Sequence, residues 1–315
     1  MLMKLVIQVP CYNEQDNVLE VLKNIPKKIN GIKKVEIYLI DDGSTDRTCE
    51  IAKDYVDEII KINKNVGLAN AFKIGVQKAL ENQADILVNI DGDNQYSAEC
   101  IEKLIEPILK RNVDMVIGTR PIDNIKTFSF FKKFLQKFGS VIVKLISNVD
   151  IKDAASGFRA FSRNALLNLN IFNSFTYTIE TIIQAKNKNL TVENVDIEVN
   201  VQKNRKSKLF KSNFDYIFKQ AKNLIRFFII YRPCRFFNIF ASLLFLIGFS
   251  LGGRFLFFYL NQDGQGHIQS LILCAIVLIL SFICYMLAIV GDLFSINRKI
   301  LEDIQYELRQ NKYKK

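Results

Sequence analysis

One histidine, His267, serves the whole 315-residue chain, and there is no tryptophan. His267 lies in a short polar stretch between two apolar runs, apart from every cluster of acids, so chemistry that relies on imidazole is not expected. The six cysteines (Cys11, Cys49, Cys100, Cys234, Cys274 and Cys284) include no pair at the two-residue spacing of zinc or redox sites. They read as reduced packing residues, which puts the polar part of the chain in a reducing compartment. Gly67 and Gly75 are not followed by Gly-Lys-Ser/Thr, so there is no P-loop here, and Gly75 instead fits a close helix contact. The first ten residues are too short and too strand-like for a secretory leader, and the polar part is therefore expected in the cytoplasm.

Apolar residues make up 49% of the chain and charged residues 24%, which excludes a disordered polymer. The net charge of +11 calls for an anionic partner: nucleic acid, anionic lipid or a phosphorylated small molecule. From Lys4 to about Arg120, short apolar runs alternate with amphipathic segments. Strands are expected at Leu5–Val9, Val35–Ile40, Glu58–Ile62, Ile86–Ile90 and Met115–Ile117. Helices are expected at Asn17–Lys28, Thr45–Tyr55, Leu68–Leu80 and Cys100–Lys110. That alternation predicts an α/β fold with a mostly parallel sheet covered on both faces. Farther on, Lys126–Ser147 and Tyr177–Lys188 read as helices, Asp150–Arg159 as a polar turn and Val192–Val201 as a strand.

The C-terminal third is different. Lys203–Arg235 holds ten Lys or Arg against one acid, Asp215, with Phe, Tyr and Ile interleaved at helical spacing. This is the profile of an amphipathic helix on an anionic bilayer. Phe236–Leu260 then runs 25 residues with one charge, Arg254, which is placed to snorkel near the outer end; Ile268–Gly291 runs 24 residues with none. Each can span roughly 30 Å of hydrocarbon. Basic residues lie before the first run and after the second, and none between, which predicts a hairpin with both chain ends cytoplasmic. The basic stretch abuts the first apolar run, so it points to lipid rather than nucleic acid. The expected division is 1–210 catalytic, 211–235 juxtamembrane, 236–291 membrane hairpin and 292–315 basic cytoplasmic tail.

Ligands in open α/β sheets bind at the C-terminal strand ends, and three polar clusters sit there. Asp91, Gly92, Asp93, Asn94 and Gln95 follow the strand Ile86–Ile90. Two carboxylates at i and i+2, with the Gln95 amide, can share one hard cation that bridges the phosphates of a nucleotide diphosphate. Asp41 and Asp42 end the second strand, where carboxylate acceptors suit a nucleobase edge or a ribose hydroxyl; Ser44 and Asp46 fit a helix N-terminus. Pro10, Cys11, Tyr12, Asn13 and Glu14 end the first strand, with Tyr12 placed to pack on a base and Glu14 to accept from a ribose.

In this order, with the segment Asn65–Gly75, these clusters resemble the family 2 glycosyltransferases of the GT-A fold over roughly residues 4–210. The nearest subgroup looks like the dolichol-phosphate mannosyltransferases and their bacterial polyprenyl-phosphate relatives. Its Asp-x-Asp-x-Gln metal site is matched by Asp91, Asp93 and Gln95. Its Gly-Ser-Arg segment is Gly118-Thr119-Arg120 here, and its Ser-Gly-Phe-Arg segment is Ser156-Gly157-Phe158-Arg159, with Asp153 upstream. The Arg-x-x-Gly-x-Ser-Lys segment keeps Ser207 and Lys208 but has Gln202 and Arg205 in place of Arg and Gly. The resemblance implies an inverting, Mg²⁺- or Mn²⁺-dependent transfer of a sugar from a nucleotide-sugar to a polyprenyl phosphate. A lipid phosphate is already ionised near neutral pH and needs cations more than a strong base. Arg120, Ser156 and Arg159 are the expected acceptor-phosphate contacts, and Arg205 and Lys208 the donor cations. Asp153 is either a phosphate-orienting acid or base, or a turn acid. A hydroxyl acceptor is the alternative and would need a true general base. A processive polysaccharide synthase is excluded, because that class uses a Gln-x-x-Arg-Trp segment and more membrane spans. The sugar, the base of the donor and any self-association are left open.

Overall fold

The computed structural model describes residues 3–122, 130–172, 176–200, 222, 225–261 and 268–314. It divides into two compact units, residues 1–207 with 303–315, and residues 208–302.

The first unit is built on a seven-stranded sheet. Its strands are β1 (Met3–Cys11), β2 (Ile32–Asp41), β3 (Glu58–Lys61), β4 (Ile86–Asn89), β5 (Met115–Thr119), β6 (Arg159–Ser162) and β7 (Val192–Asp196). They lie in the order β3-β2-β1-β4-β6-β5-β7. All pairings are parallel except those of β6, which runs antiparallel to both β4 and β5. The five expected strands are present. The apolar runs of β1, β4, β5 and the second half of β2 are buried on both faces, as a helix-covered parallel sheet requires, while the edge strand β3 is only half-buried. The order reverses at β1 and β4, and there the chain leaves the sheet toward the acidic clusters.

β6 is the element not foreseen. The turn expected at Asp150–Arg159 ends on its first residue, and Ala160–Ser162 carried no expectation, because Arg159 breaks the apolar pattern that a strand would show. The strand instead fills the slot between β4 and β5, and it is followed directly by a short helix, α6 below, capped by the Ser162 hydroxyl accepting from Ala165 N–H at 3.2 Å.

Six of the unit's helices connect these strands: α1 (Val18–Asn24), α2 (Thr48–Ala52), α3 (Leu68–Glu81), α4 (Ile101–Arg111), α5 (Phe130–Ser147) and α6 (Arg163–Asn168); α7 (Thr178–Asn187) precedes β7. α3 packs on β1 and β2 through Gly75. A Cβ there would lie 1.9 Å from Gln8 Oε1, so the expected close contact is real and leaves no room for a side chain. The other face of β1 buries Leu5, Ile7 and Val9 against α1 and α4 (Val21, Leu22, Leu104, Ile105), forming the main core.

The second unit holds residues 225–231, α8 (Pro233–Leu260) and most of α9 (Ile268–Lys312). Both long helices are apolar enough, over sufficient length, to cross a membrane. They pack antiparallel through small residues. Ser281 Oγ donates to Ala241 O at 2.8 Å, Cys274 Sγ donates to Gly248 O at 3.1 Å, and a Cβ on Gly248 would meet Leu278 at 2.7 Å. Arg254 lies over the Phe258 ring at 5.9 Å. Where a separate tail from residue 292 was expected, α9 continues to Lys312, and residues 303–315 belong to the first unit. There Arg309 donates to Leu167 O and Leu169 O, and Lys188 pairs with Asp303 at 2.8 Å. His267 and most of the basic juxtamembrane stretch lie outside the described residues.

Candidate active site

The loops after β1 and β2 are laced together. Asn13 N–H donates to Ser44 Oγ, Glu14 N–H to Thr48 Oγ1, and Thr45 N–H to Asn13 Oδ1, at 2.8–2.9 Å. Asn13 takes a left-handed backbone, φ 55°, which Asn tolerates better than most residues. Beside this lacing Tyr12 is left 40% exposed. Glu14 is buried and accepts from Asn17 Nδ2 at 3.0 Å, and Pro10 is buried at the end of β1.

Asp41 and Asp42 are both buried. Asp41 Oδ1 accepts from Ser44 N–H at 3.1 Å. Asp42 accepts from Val66 N–H at 2.7 Å through one oxygen and from Gly67 N–H at 2.9 Å through the other. Burial pushes the Asp42 carboxyl above its usual range, against the pull of those two N–H groups. Each acid braces a neighbouring loop: Asp41 the turn at Ser44, and Asp42 the backbone at Val66 and Gly67.

The loop beyond β4 carries Asp91, Gly92, Asp93 and Gln95. Gly92 sits where a Cβ would meet Cys11 Sγ at 2.3 Å, so only glycine lets this loop close on the end of β1. Asp93 Oδ1 accepts from Gln95 N–H at 3.1 Å. Asn94 is left-handed at φ 59° and is held by Asn200 Nδ2, which donates to Asn94 Oδ1 at 2.9 Å. The Asp91 carboxylate lies against Gly157, where a Cβ would come within 2.7 Å of Oδ2. Among the described residues no group of three His, Cys, Asp or Glu is arranged to hold a metal. The protein donors here are two carboxylates and one amide, all hard oxygens, a set that fits Mg²⁺ or Mn²⁺ when phosphate oxygens complete the shell.

The third part is the loop Asp153–Arg159. Asp153 is fully buried and grips Arg120 with both oxygens, at 2.6 Å to Nε and 3.0 Å to Nη2. Burial alone would lower the Arg120 guanidinium, but Tyr96 and Asp153 beside it raise it above its ordinary value. Asp153 also accepts from Ala155 N–H at 3.2 Å, so the turn role and the charge role coincide. The expectation for Arg159 is corrected outright. It is fully buried, and its guanidinium donates to Ser156 O (2.8 Å), Ala154 O (2.9 Å), Thr178 O (2.6 Å) and Thr181 Oγ1 (2.7 Å). It staples a loop and cannot meet a phosphate. Ser156 is also fully buried, and its hydroxyl has no partner among the described residues. Arg205 and Lys208 lie outside the described residues.

Sequence reasoning missed Asn89, Tyr96 and Tyr177, which surround Gly157. A signal existed for the first: Asn89 interrupts an apolar strand, as Gln8 does in β1, and the two bond across the sheet at 2.8 Å. Nothing in the pattern marked the two tyrosines.

Comparison with known proteins gives a consistent picture. The family model for glycosyl transferase family 2 matches residues 6–169. The dolichol-phosphate mannosyltransferase of Pyrococcus furiosus is 32% identical over 225 residues, covering 68% of this chain and 62% of that protein. The UDP-N-acetylglucosamine–dolichyl-phosphate N-acetylglucosaminyltransferase of Methanococcus voltae is 31% identical over 213 residues, 60% of this chain and 83% of that one. A crystal structure of Mycobacterium tuberculosis glucosyl-3-phosphoglycerate synthase with Mn²⁺, UDP-glucose and phosphoglyceric acid superposes with a TM-score of 0.54 at 16% identity. It covers 72% of this chain and 79% of that one, a likeness of GT-A fold.

Proposed function

The chain belongs to glycosyl transferase family 2, and from that premise we propose that it moves a sugar from a UDP- or GDP-sugar onto a polyprenyl phosphate, with inversion, at the cytoplasmic face of a membrane. The observation that carries the choice of acceptor is the state of Asp153. A hydroxyl acceptor needs a general base, and the acid nearest that role is buried in an ion pair with Arg120. An ionised lipid phosphate needs no such base, and the relatives from Pyrococcus furiosus and Methanococcus voltae are named for transfer to dolichyl phosphate.

In this reading Asp91, Asp93 and Gln95 would hold Mg²⁺ or Mn²⁺, which when bound neutralises charge on the leaving diphosphate. Tyr12 stacks on the base and Glu14 accepts from the ribose. Asp153 occupies the Nε–Nη2 edge of Arg120, and Arg120 would meet the acceptor phosphate through its remaining Nη1 donors. Arg205 and Lys208 supply further positive charge for the donor. The two apolar helices, with their basic flanks, keep the site near anionic lipid.

The test uses the full chain in detergent, candidate nucleotide-sugars, a short polyprenyl phosphate and the matching free polyprenol. Labelled sugar should enter the lipid phase with the phosphate and not with the alcohol, only with Mg²⁺ or Mn²⁺, and Asp93→Ala should stop it. Equal transfer to the free alcohol would refute the acceptor. Full activity of Asp93→Ala under chelation would refute the metal site.

A further inference from the structure

Gly157 is held through both its N–H and its carbonyl beside the site. Its N–H donates to the Tyr96 hydroxyl at 3.0 Å. Its carbonyl accepts from Asn89 Nδ2 and from the Tyr177 hydroxyl, each at 2.9 Å. Asn89 Nδ2 also lies 2.8 Å from that hydroxyl and 3.5 Å from Asp91 Oδ1, while Asn89 Oδ1 accepts from Gln8 Nε2 at 2.8 Å. Tyr177 is locked by a parallel stack on Phe72, ring centres 3.8 Å apart, and Tyr96 stacks on Phe158 at 5.4 Å. Asn89, Tyr177 and Gly157's neighbour Phe158 are fully buried. From the other side Arg159 ties down Ser156 and Ala154.

All of these contacts converge on one point. They press the Cα of Gly157 against the Asp91 carboxylate, at a distance where a Cβ would overlap Oδ2 at 2.7 Å, Oδ1 at 3.0 Å and Cγ at 3.2 Å. The backbone of Gly157 is not in the left-handed region, so its need for glycine comes from space alone. A residue that backs a metal-ligating carboxylate fixes the direction of its lone pairs, and disturbing such outer contacts typically costs about 10–100-fold in metal affinity.

We propose that Gly157, clamped by Asn89, Tyr96 and Tyr177, is the backstop that orients Asp91 toward the cation. Tyr177 and Asn89 are positioning residues that act through Gly157. This inference rests on the metal reading of Asp91 given above. Its content is that the segment leading into β6, and the tyrosine that precedes α7, set the metal affinity of the loop after β4.

The test is a Mn²⁺ titration of the full chain in detergent, followed by loss of the free-ion electron paramagnetic resonance signal. It is run with UDP and repeated with GDP, alongside thermal melting. The variants are Asp91→Asn, Gly157→Ala and Tyr177→Phe. Asp91→Asn should lose Mn²⁺ binding; if it binds like the wild type, the metal reading itself fails and this proposal falls with it. With that control in place, Gly157→Ala should raise the Mn²⁺ dissociation constant about 10-fold or more. Tyr177→Phe should raise it about 3-fold, with a melting temperature within about 5 °C of the wild type. Activity of Tyr177→Phe should return to the wild-type kcat at saturating Mn²⁺, a rescue that general destabilisation would not give. Wild-type Mn²⁺ affinity in folded Gly157→Ala overturns the proposal while leaving the metal site intact. Should Gly157→Ala fail to fold, unchanged affinity in Tyr177→Phe overturns it alone.

Discussion

Replacing Arg159 by Met separates a structural role from a ligand-binding one. The guanidinium is fully buried and makes four hydrogen bonds, three of them to main-chain carbonyls. Thr178 O keeps a donor in the Thr181 hydroxyl, at 3.1 Å, when the arginine is removed. The carbonyls of Ser156 and Ala154 lose theirs. A buried acceptor left without a donor costs about 1–3 kcal/mol, so two of them cost about 2–6 kcal/mol. Part of this is offset, because burial already holds the Arg159 guanidinium down to about 10 and Met carries no charge to desolvate. The expected net loss is about 3 kcal/mol, or roughly 6–12 °C in melting temperature for a unit of this size. Arg159→Lys should fall between, since an ammonium can reach some of the same carbonyls but not with a planar fork. The assay is thermal unfolding of the detergent-solubilised chain beside acceptor saturation curves. A Met variant that melts like the wild type but shows a large rise in KM for the polyprenyl phosphate would refute the structural assignment and return Arg159 to the acceptor.

Glu36 is a pH-linked case. Burial raises its carboxyl, but hydrogen bonds from Lys34, Lys4 and Tyr38 outweigh that and hold it at about 2. A carboxylate depressed in the folded state stabilises above its unfolded value and loses that contribution as pH falls through the folded one. Melting temperature should therefore drop between about pH 4.5 and pH 2, and Glu36→Gln should flatten that limb without changing transfer at neutral pH. Gly43→Ala should cost at least about 2 kcal/mol and weaken donor binding. Its φ is +75°, and a Cβ would lie 2.8 Å from Asn65 N and the Lys64 carbonyl carbon, which are backbone atoms; wild-type melting would contradict this. Arg309→Ala should lower the melting temperature by the worth of one or two hydrogen bonds, about 1–2 kcal/mol, since its Nη1 donates to Leu167 O and Leu169 O. Equal stability would show that the end of α9 is not held there.

What the amino-acid order discloses, and what it hides, divides along a physical line. Strands β1, β2, β4 and β5 were legible because a parallel strand buried on both faces must contain a short unbroken apolar run, and the edge strand β3 because its Ile pair falls between two helical patterns. The positions of the acidic clusters then followed, because chain connectivity puts loops at strand ends. β6 was not legible: its four residues include an arginine, and composition assigns a guanidinium to the surface or to an anion. Its satisfaction by carbonyls of Ala154, Ser156 and Thr178 is a three-dimensional fact. The bracing role of Asp42 was hidden in the same way, since its oxygens accept from N–H groups 24 and 25 residues away. Sequence shows which groups carry charge; it does not show which charges are already answered within the fold. The consequence for the proposed reaction is specific. Two anions must approach each other, and Arg159 is withdrawn from that task while Arg120 is largely balanced by Asp153. In the proposed reaction the positive charge beyond what Arg120 retains would come from the bound cation and from the basic stretch that begins at Lys203 and contains Arg205 and Lys208. That stretch leads directly into the apolar helices, so the same cations that would neutralise the donor would also draw in an anionic lipid headgroup. Binding of the acceptor and neutralisation of the donor would then be coupled through one segment of chain.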